Sequence, residues 1–336
     1  MIKTVAVVAP VHNEVDNIPL LFSRLKAAAE RRPDLAFRYV FVNDGSTDGS
    51  RQVLDDLADR HAEVAVLHLS RRFGHQAAVT AGVDHATGDI VCLIDSDLQD
   101  PPELLIDMIV EIEKGYDIVY GRRQRREGEM WLKRATAKLF YRVLSALTHV
   151  EIPPDTGDFR AMRANVADVL RSMREAHRFI RGMVAWTGFR SKALFYVREP
   201  RHAGRTKYSF SKMVRFASDA IFSFSDVPLR ISKYVGLSTA MVGAMGMVYV
   251  LVQMLFYDNY VPGVSSTFFA VLFMGGVQLI TLGIMGDYVG RLFEQSKQRP
   301  LYVLAEVRNV TPPAARPGVQ QPEEAEPVSY GHYARS

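Results

Sequence analysis

Short apolar runs that alternate with helix-length polar stretches constrain the fold of this chain more than any other feature. Five runs rich in β-branched residues, apolar on both faces, occur at 4–9, 39–43, 64–69, 90–94 and 118–120. Stretches of helical length and polarity separate them, at 17–30, 48–60, 76–86 and 103–113. Strands covered by helices on both sides have this composition. The alternation therefore predicts an α/β domain built on a parallel sheet.

A second segment has the composition of a membrane hairpin. Residues 234–290 contain two charged side chains, Asp258 and Asp287, and neither Lys nor Arg. Basic residues flank its outer ends, and a spanning helix needs about 20 residues. We therefore predict transmembrane helices at 234–257 and 264–290, with both long ends in the cytoplasm. The alternative is a buried helical hairpin of a soluble protein.

The remaining segments complete the predicted organisation. The α/β domain is expected to cover residues 1–210, and it includes an irregular, Arg-rich stretch from 122 to 207. An amphipathic juxtamembrane helix is predicted within 211–233, mainly at 211–224. The C-terminal tail spans 291–336, and five prolines in 311–327 predict disorder from about residue 311.

Polar and acidic residues follow three of the predicted strands. In an open parallel sheet, ligands bind beyond the carboxyl ends of the strands, so these residues are candidates for a site. The three segments are 10–14 (PVHNE), 43–48 (NDGSTD) and 95–100 (DSDLQD). Each has a structural alternative, since Thr47, Asp48 and Asp100 also suit helix starts. Their coincidence at one sheet edge favours the functional interpretation.

The segment Asp95-Ser96-Asp97 suits a hard divalent cation. If it is extended, Asp95, Asp97 and Gln99 point the same way and offer three oxygens to a metal that neutralises a diphosphate. The chain lacks the Gly-rich GxGxxG pattern and the Gly-Lys pair of a Walker-A loop, which disfavours dinucleotide enzymes and P-loop ATPases. One cysteine excludes an internal disulfide, and at a net charge of +4 we predict no nucleic-acid partner.

Together these motifs resemble those of family-two inverting glycosyltransferases, and most closely the polyprenyl-phosphate glycosyltransferases. That group includes dolichol-phosphate mannose synthases and, nearer still, bacterial bactoprenol glucosyltransferases. The similarity covers roughly residues 4–300 and rests on the three strand-end segments with the motifs at 70–76 (SRRFGHQ) and 201–207 (RHAGRTK). It implies a GT-A-like catalytic domain followed by the two-helix hairpin, in the bacterial inner membrane, with Mg²⁺ or Mn²⁺ as cofactor.

The resemblance also implies roles for individual residues. The donor-binding residues are Pro10, His12, Glu14, Asp44 and Ser96. The metal ligands are Asp95, Asp97 and Gln99, with Asp97 counted as catalytic. The phosphate-binding residues are Arg123, Arg201 and Lys207. Arg205 is added because it lies in the small basic loop at 204–208, where a lipid phosphate would emerge. His12 stands where relatives often have Tyr, and Ser96 where they usually have Ala. His75, His85, His177 and His202 show no paired ligand spacing and are interpreted as surface or packing residues.

The chemistry can be argued without the resemblance. Loss of a nucleoside diphosphate develops negative charge that a cation and basic side chains stabilise. A phosphate acceptor with a second pKa of ~6 is already ionised at neutral pH, so it brings its own nucleophile. The resemblance adds that Asp155 and Asp158 lie where related transferases keep a base. Their alternatives are to orient sugar hydroxyls, the nucleophile or Arg160, or to form a structural turn.

The predicted reaction moves glucose from UDP-glucose to undecaprenyl phosphate. A mannose-synthase-like enzyme using GDP-mannose is the nearest alternative. A processive polysaccharide synthase is a rival, but the Gln-x-x-Arg-Trp motif is absent. A nucleotidyltransferase and a non-enzymatic membrane scaffold or channel subunit are the others. Gly243 with Gly246, and Gly283 with Gly286, permit close helix packing, and the resemblance implies a homotetramer.

Overall fold

The computed structural model describes residues 3–124, 156–198, 227–256 and 263–310. The strands are β1 (Thr4–Val11), β2 (Ala36–Asn43), β3 (Val64–Leu69), β4 (Ile90–Leu93), β5 (Ile118–Arg123), β6 (Thr156–Arg163), β7 (Ser191–Tyr196) and β8 (Leu304–Arg308). The helices are α1 (Asn17–Ala29), α2 (Ser50–Arg60), α3 (His75–His85), α4 (Leu104–Glu113), α5 (Ala164–Ser172), α6 (Ile180–Trp186), α7 (Val227–Phe256) and α8 (Val264–Ser296).

All eight strands form one sheet in the order β7-β5-β6-β4-β1-β2-β3-β8. The pairs β1–β2, β1–β4 and β2–β3 are parallel, as the apolar runs predict. Strand β6 lies between β4 and β5 and runs antiparallel to both. Strand β7 pairs in parallel with β5. The start of β6 and the ends of β1, β2, β4, β5 and β7 therefore share one edge of the sheet.

Each face of the sheet is covered by its own layer of helices. Alternate residues of β1 point to opposite faces: Val5 and Val7 pack in a core with α1, α2 and α4, whereas Ala6 and Val8 pack in a core with α3, α5 and α6. The two cores explain why the parallel strands are apolar throughout. The predicted α/β class is thus confirmed.

Two parts of the chain contain more regular structure than the sequence analysis expected. The Arg-rich stretch interpreted as irregular contributes β6, α5, α6 and β7. In the segment assigned to the C-terminal tail, β8 pairs antiparallel with β3 and closes the edge of the sheet. The predicted amphipathic helix at 211–224 and the tail from residue 311 lie outside the described residues.

Two long helices form over the segments predicted to span a membrane. Helix α7 has 30 residues and α8 has 33, and they pack against each other. Within the described ranges, however, no helix combines the length with the apolar character needed to cross a membrane. Glycine, hydroxyl and amide residues interrupt the apolar ones, for example Gly236, Ser238 and Gln278. The prediction of a multi-pass protein of the bacterial inner membrane is therefore contradicted.

Candidate active site

The polar strand ends meet at the carboxyl edge of the sheet. Here the loops after β1 and β2 are bonded to each other: His12 Nδ1 lies 2.9 Å from the Asp44 carbonyl oxygen, and Asn13 Oδ1 accepts from the Thr47 N–H at 2.8 Å. Asn13 adopts a φ of 58°, a conformation that Asn tolerates better than most residues. Glu14 follows, just before α1. The two loops form one wall of the site.

The carboxylate of Asp44 holds a third loop in place. It is 3% exposed and accepts hydrogen bonds from the backbone N–H groups of Phe73, at 2.6 Å, and Gly74, at 3.0 Å. Since these donors belong to the segment that leads into α3, Asp44 ties the end of β2 to the start of that helix.

Pro10 and Ser96 join the first wall to the acidic turn. The Ser96 hydroxyl, 5% exposed, donates to the Pro10 carbonyl oxygen at 2.9 Å. This bond joins the loop after β4 to the end of β1, and Ser96 lies between Asp95 and Asp97 in the sequence.

The acidic segment is a turn rather than the extended chain assumed for it. Strand β4 ends at Leu93, and Leu98 has a φ of 58°, in the left-handed region. The Gln99 N–H donates to Asp97 Oδ1 at 3.2 Å, which closes the turn. A strand-like alternation therefore does not place Asp95, Asp97 and Gln99 on one side of the chain.

Negative charge accumulates around Asp95. Burial and the nearby carboxylates of Asp158, Asp100 and Asp97 raise the pKa of Asp95 to about 6, against the opposing charge of His75. Such a site favours binding of a cation, and two carboxylates with an amide are oxygen ligands that Mg²⁺ and Mn²⁺ accept. Across the described ranges, no group of three or more His, Cys, Asp or Glu side chains is arranged to hold a metal. Asp95, Asp97 and Gln99 could therefore supply only part of the coordination shell of a divalent cation.

Asp158 lies at the start of β6 and is surrounded by positive charge. It is 2% exposed; Arg181 Nε donates to its Oδ1 at 2.9 Å, and His75 Nε2 lies 2.8 Å from its Oδ2. Arg160 Nη2 is 3.8 Å away. Burial alone would raise the pKa of Asp158, but the charge of Arg181 and the hydrogen bond to His75 outweigh it and lower the pKa well below its usual range. This carboxylate is a poor proton acceptor and a good anchor.

His75 lies in the candidate site, although the sequence analysis did not assign it there. Its Nε2 contacts Asp158 and lies 3.7 Å from Asp95 Oδ1, so it bridges the two carboxylates. Burial would lower the pKa of His75, but its hydrogen bond to Asp158 and the charge of Asp95 raise it to about 9. Membership of the 70–76 motif was the available sequence signal for this position. Paired ligand spacing gives no signal here, because Asp95 and Asp158 come from distant parts of the chain.

Arg123 ends β5 at the same edge, with its side chain 29% exposed. Four further predicted residues lie outside the described residues: Asp155, Arg201, Arg205 and Lys207. The structure therefore brings together the acidic turn, Asp158 and Arg123, with His12 and Asp44 in the adjoining wall.

A surface cavity lies at the opposite edge of the sheet. Its lining includes Lys3, Ala36 and Arg163, which precede β1, begin β2 and end β6. It contains none of the predicted site residues, so the chemistry of the acidic edge is independent of it.

Comparison with known proteins shows the family to which the sequence of this chain belongs. The profile described as glycosyl transferase family 2 matches residues 6–171. The chain is 42% identical over 299 residues to the uncharacterized glycosyltransferase YkcC of Bacillus subtilis, covering 89% of this chain and 92% of that protein. It is 36% identical over 304 residues to the prophage bactoprenol glucosyl transferase homolog of Escherichia coli, covering 90% and 99%. Glucosyl-3-phosphoglycerate synthase from Mycobacterium tuberculosis in complex with UDP is 17% identical, with a TM-score of 0.47, covering 66% of this chain and 78% of that one.

Proposed function

Because this chain belongs to glycosyl transferase family 2 and is a glycosyltransferase, we propose that it moves a sugar from a nucleotide-sugar to a polyprenyl phosphate. The observation that carries the proposal is the acidic turn at the carboxyl edge of the sheet, faced by Arg123 and by the cationic cluster around Asp158. Two relatives at 36% identity carry the name bactoprenol glucosyl transferase, one of them as a homolog. These names support a polyprenyl phosphate as the acceptor.

The proposed donor is UDP-glucose, and the proposed product is a β-linked glucosyl phosphate on undecaprenyl phosphate. The same relatives support glucose. GDP-mannose is the alternative that the sequence analysis left open. Epimeric sugars differ by one hydroxyl, and a site that hydrogen-bonds this group discriminates strongly between them.

In the proposed mechanism, Asp95 and Asp97 would hold Mg²⁺ or Mn²⁺, with Gln99 as the third proposed ligand. When bound, the cation supplies Lewis-acid stabilisation of the departing nucleoside diphosphate. Arg123 adds charge-assisted hydrogen bonds to the same phosphates. His12, Glu14, Asp44, Pro10 and Ser96 shape the wall against which the donor lies.

The acceptor needs no general base. An ionised phosphate oxygen attacks the anomeric carbon as the bond from that carbon to the diphosphate oxygen breaks, with inversion. We assign Asp158 a positioning role, because Arg181 and His75 already occupy its carboxylate. Arg201, Arg205 and Lys207 are proposed to bind the acceptor phosphate, and Asp155 stays a predicted catalytic residue.

The test incubates purified protein with Mg²⁺, undecaprenyl phosphate and one nucleotide-sugar at a time, and weighs the lipid product by mass spectrometry. A hexosyl phospholipid formed from UDP-glucose alone is expected. Formation from GDP-mannose alone would retain the reaction class and reject the donor. Labelling of a protein or glycan instead of the lipid would reject the acceptor.

The homotetramer is a separate proposal, supported by the small residues Gly243 and Gly246 in α7 and Gly283 and Gly286 in α8. Light scattering coupled to size-exclusion chromatography is expected to give four times the chain mass. A mass of one or two chains would reject it.

A further inference from the structure

Tyr196 is a second residue that the sequence analysis did not single out, and it lies beside Arg123. Strand register pairs the two residues at the ends of β7 and β5. Arg123 Nε donates to the Tyr196 hydroxyl oxygen at 3.3 Å. The same hydroxyl donates to Asp100 Oδ1 in a short hydrogen bond. The three side chains form a relay from Arg123 through Tyr196 to Asp100.

Asp100 determines which group donates and which accepts in these hydrogen bonds. It is fully buried, and its Oδ2 has no hydrogen-bond partner among the described residues. Arg123 Nη2 and Arg198 Nε each lie 3.9 Å from its Oδ1, close enough to act as counter-charges. An ionised carboxylate only accepts hydrogen bonds, so it fixes the hydroxyl proton of Tyr196 and leaves the oxygen of Tyr196 to accept from Arg123.

The ring of Tyr196 is held by close packing. It makes an edge-to-face contact with Phe159, at 5.7 Å between centroids and an angle of 75°. A Cβ atom at Gly121 would come within 2.8 Å of the Tyr196 ring and 2.7 Å of the Phe159 ring. Glycine at this position therefore lets both rings lie against β5, and the hydroxyl has a defined position.

The guanidinium of Arg123 is confined on its other side by β6. A Cβ atom at Gly157 would lie 2.9 Å from Arg123 Nη2, so the absence of a side chain there makes room for the guanidinium. Gly157 directly precedes Asp158, which places Arg123 beside the cationic cluster. Tyr196 engages Nε, and Nη2 lies near Asp100 and Gly157, so the guanidinium is held in one position. Its remaining N–H groups are the donors available to a phosphate.

We propose that Tyr196 and Asp100 are positioning residues that hold the Arg123 guanidinium against the diphosphate of the donor. The inference rests on the proposed function, in which Arg123 binds that diphosphate. Tyr196 acts through Arg123 and does not itself touch the substrate. Its loss reduces binding of phosphates and leaves binding of the nucleoside unchanged.

Calorimetric titration with UDP, GDP and uridine, in excess Mg²⁺, tests this role. Tyr196→Phe removes the hydroxyl and keeps the ring; we expect it to weaken binding of the preferred diphosphate about 5- to 20-fold and to change uridine binding less than twofold. In an Arg123→Ala background, Tyr196→Phe is expected to have no further effect. Tyr39→Phe is the matched control, since Tyr39 is also buried in the sheet and packs edge-to-face, on Phe22, far from the site.

The outcomes separate the inference from the proposed function. If Arg123→Ala weakens UDP binding and a folded Tyr196→Phe variant does not, the positioning role is overturned. Equal losses of UDP and uridine binding in Tyr196→Phe would also overturn it, since they indicate general damage. If neither nucleotide binds the wild type, or if Arg123→Ala has no effect, the proposed role of Arg123 fails and the inference fails with it. Should Tyr196→Phe not fold, Asp100→Asn is expected to show the same diphosphate-specific loss.

Discussion

Asp95 and Asp158 lie at the same edge of the sheet and differ in what surrounds them. Asp158 is the more buried, with 3% of its side chain exposed against 25% for Asp95. Burial alone would therefore raise the pKa of Asp158 more. The reverse is found: the pKa of Asp95 is raised to about 6, and that of Asp158 is lowered.

Burial acts on both carboxylates, so the opposite directions of their pKa shifts come from the charged groups around them. Arg181, Arg160 and His75 already neutralise Asp158, so it stabilises the folded protein without a ligand. Asp95 faces other carboxylates and gains its counter-charge only in part, from His75. The carboxylates at the end of β4 therefore favour binding of a cation. The carboxylate at the start of β6 is already neutralised by the protein's own basic side chains.

The largest expected effect is on turnover, and it comes from the acidic turn that is proposed to bind the metal. Asp97→Asn should lower turnover about 10³-fold and leave the folded structure intact, because it removes a proposed ligand and little packing. Transferase rates with Mg²⁺ or Mn²⁺ measure this, with circular dichroism as the control for folding. Full wild-type activity in excess EDTA would contradict the metal assignment.

Asp158→Asn tests the neutralised carboxylate of this comparison. The substitution leaves Arg181, Arg160 and His75 without their shared carboxylate, and we expect a loss of about 2–3 kcal/mol in the free energy of unfolding. The value lies below that for a fully buried pair, because the side chains of Arg181 and His75 are 28% and 44% exposed. Urea denaturation measures it. An unchanged midpoint would show that the cluster does not stabilise the fold.

Asp95→Asn should raise the free energy of unfolding in the absence of metal, whereas Asp158→Asn lowers it. A raised pKa means that the charge of Asp95 is unfavourable in the folded protein at neutral pH, so an amide should stabilise the metal-free protein by about 1 kcal/mol. Thermal melting in EDTA at pH 7.5 measures the shift. A lower melting temperature would show that the contact of Asp95 with His75 outweighs the repulsion.

Glu103→Gln is expected to give the smallest effect and serves as a control for ion-pair loss. Arg24 holds Glu103 through two hydrogen bonds of 2.8 Å, but the carboxylate is 42% exposed. Water replaces the lost contact, so the free energy of unfolding should fall by about 0.5 kcal/mol or less. A loss as large as that of Asp158→Asn would mean that solvent exposure does not separate the two sites.

The strands could be predicted where their signals are local. The runs at 4–9 and 64–69 are apolar on both faces, and they form β1 and β3 with nearly the predicted bounds. The polar segments after β1, β2 and β4 were found in the same way, because turn residues follow strand ends directly. Strands β6 and β8 lack such continuous apolar runs: β6 contains Asp158, Arg160 and Arg163, and β8 alternates exposed with partly buried residues.

By itself, then, the sequence determined the α/β class, the acidic edge and the family, since periodicity and short motifs are properties of neighbouring residues. Tertiary structure alone decided the partners. His75 meets Asp158 across 83 residues of chain, and Tyr196 meets Asp100 across 96. Such contacts depend on which strands become neighbours in the sheet, and the antiparallel insertion of β6 between β4 and β5 is what brings Asp158 to His75 and Gly157 to Arg123. The sequence shows which residues carry a carboxylate, whereas the basic side chains that neutralise each carboxylate come together only in the folded sheet.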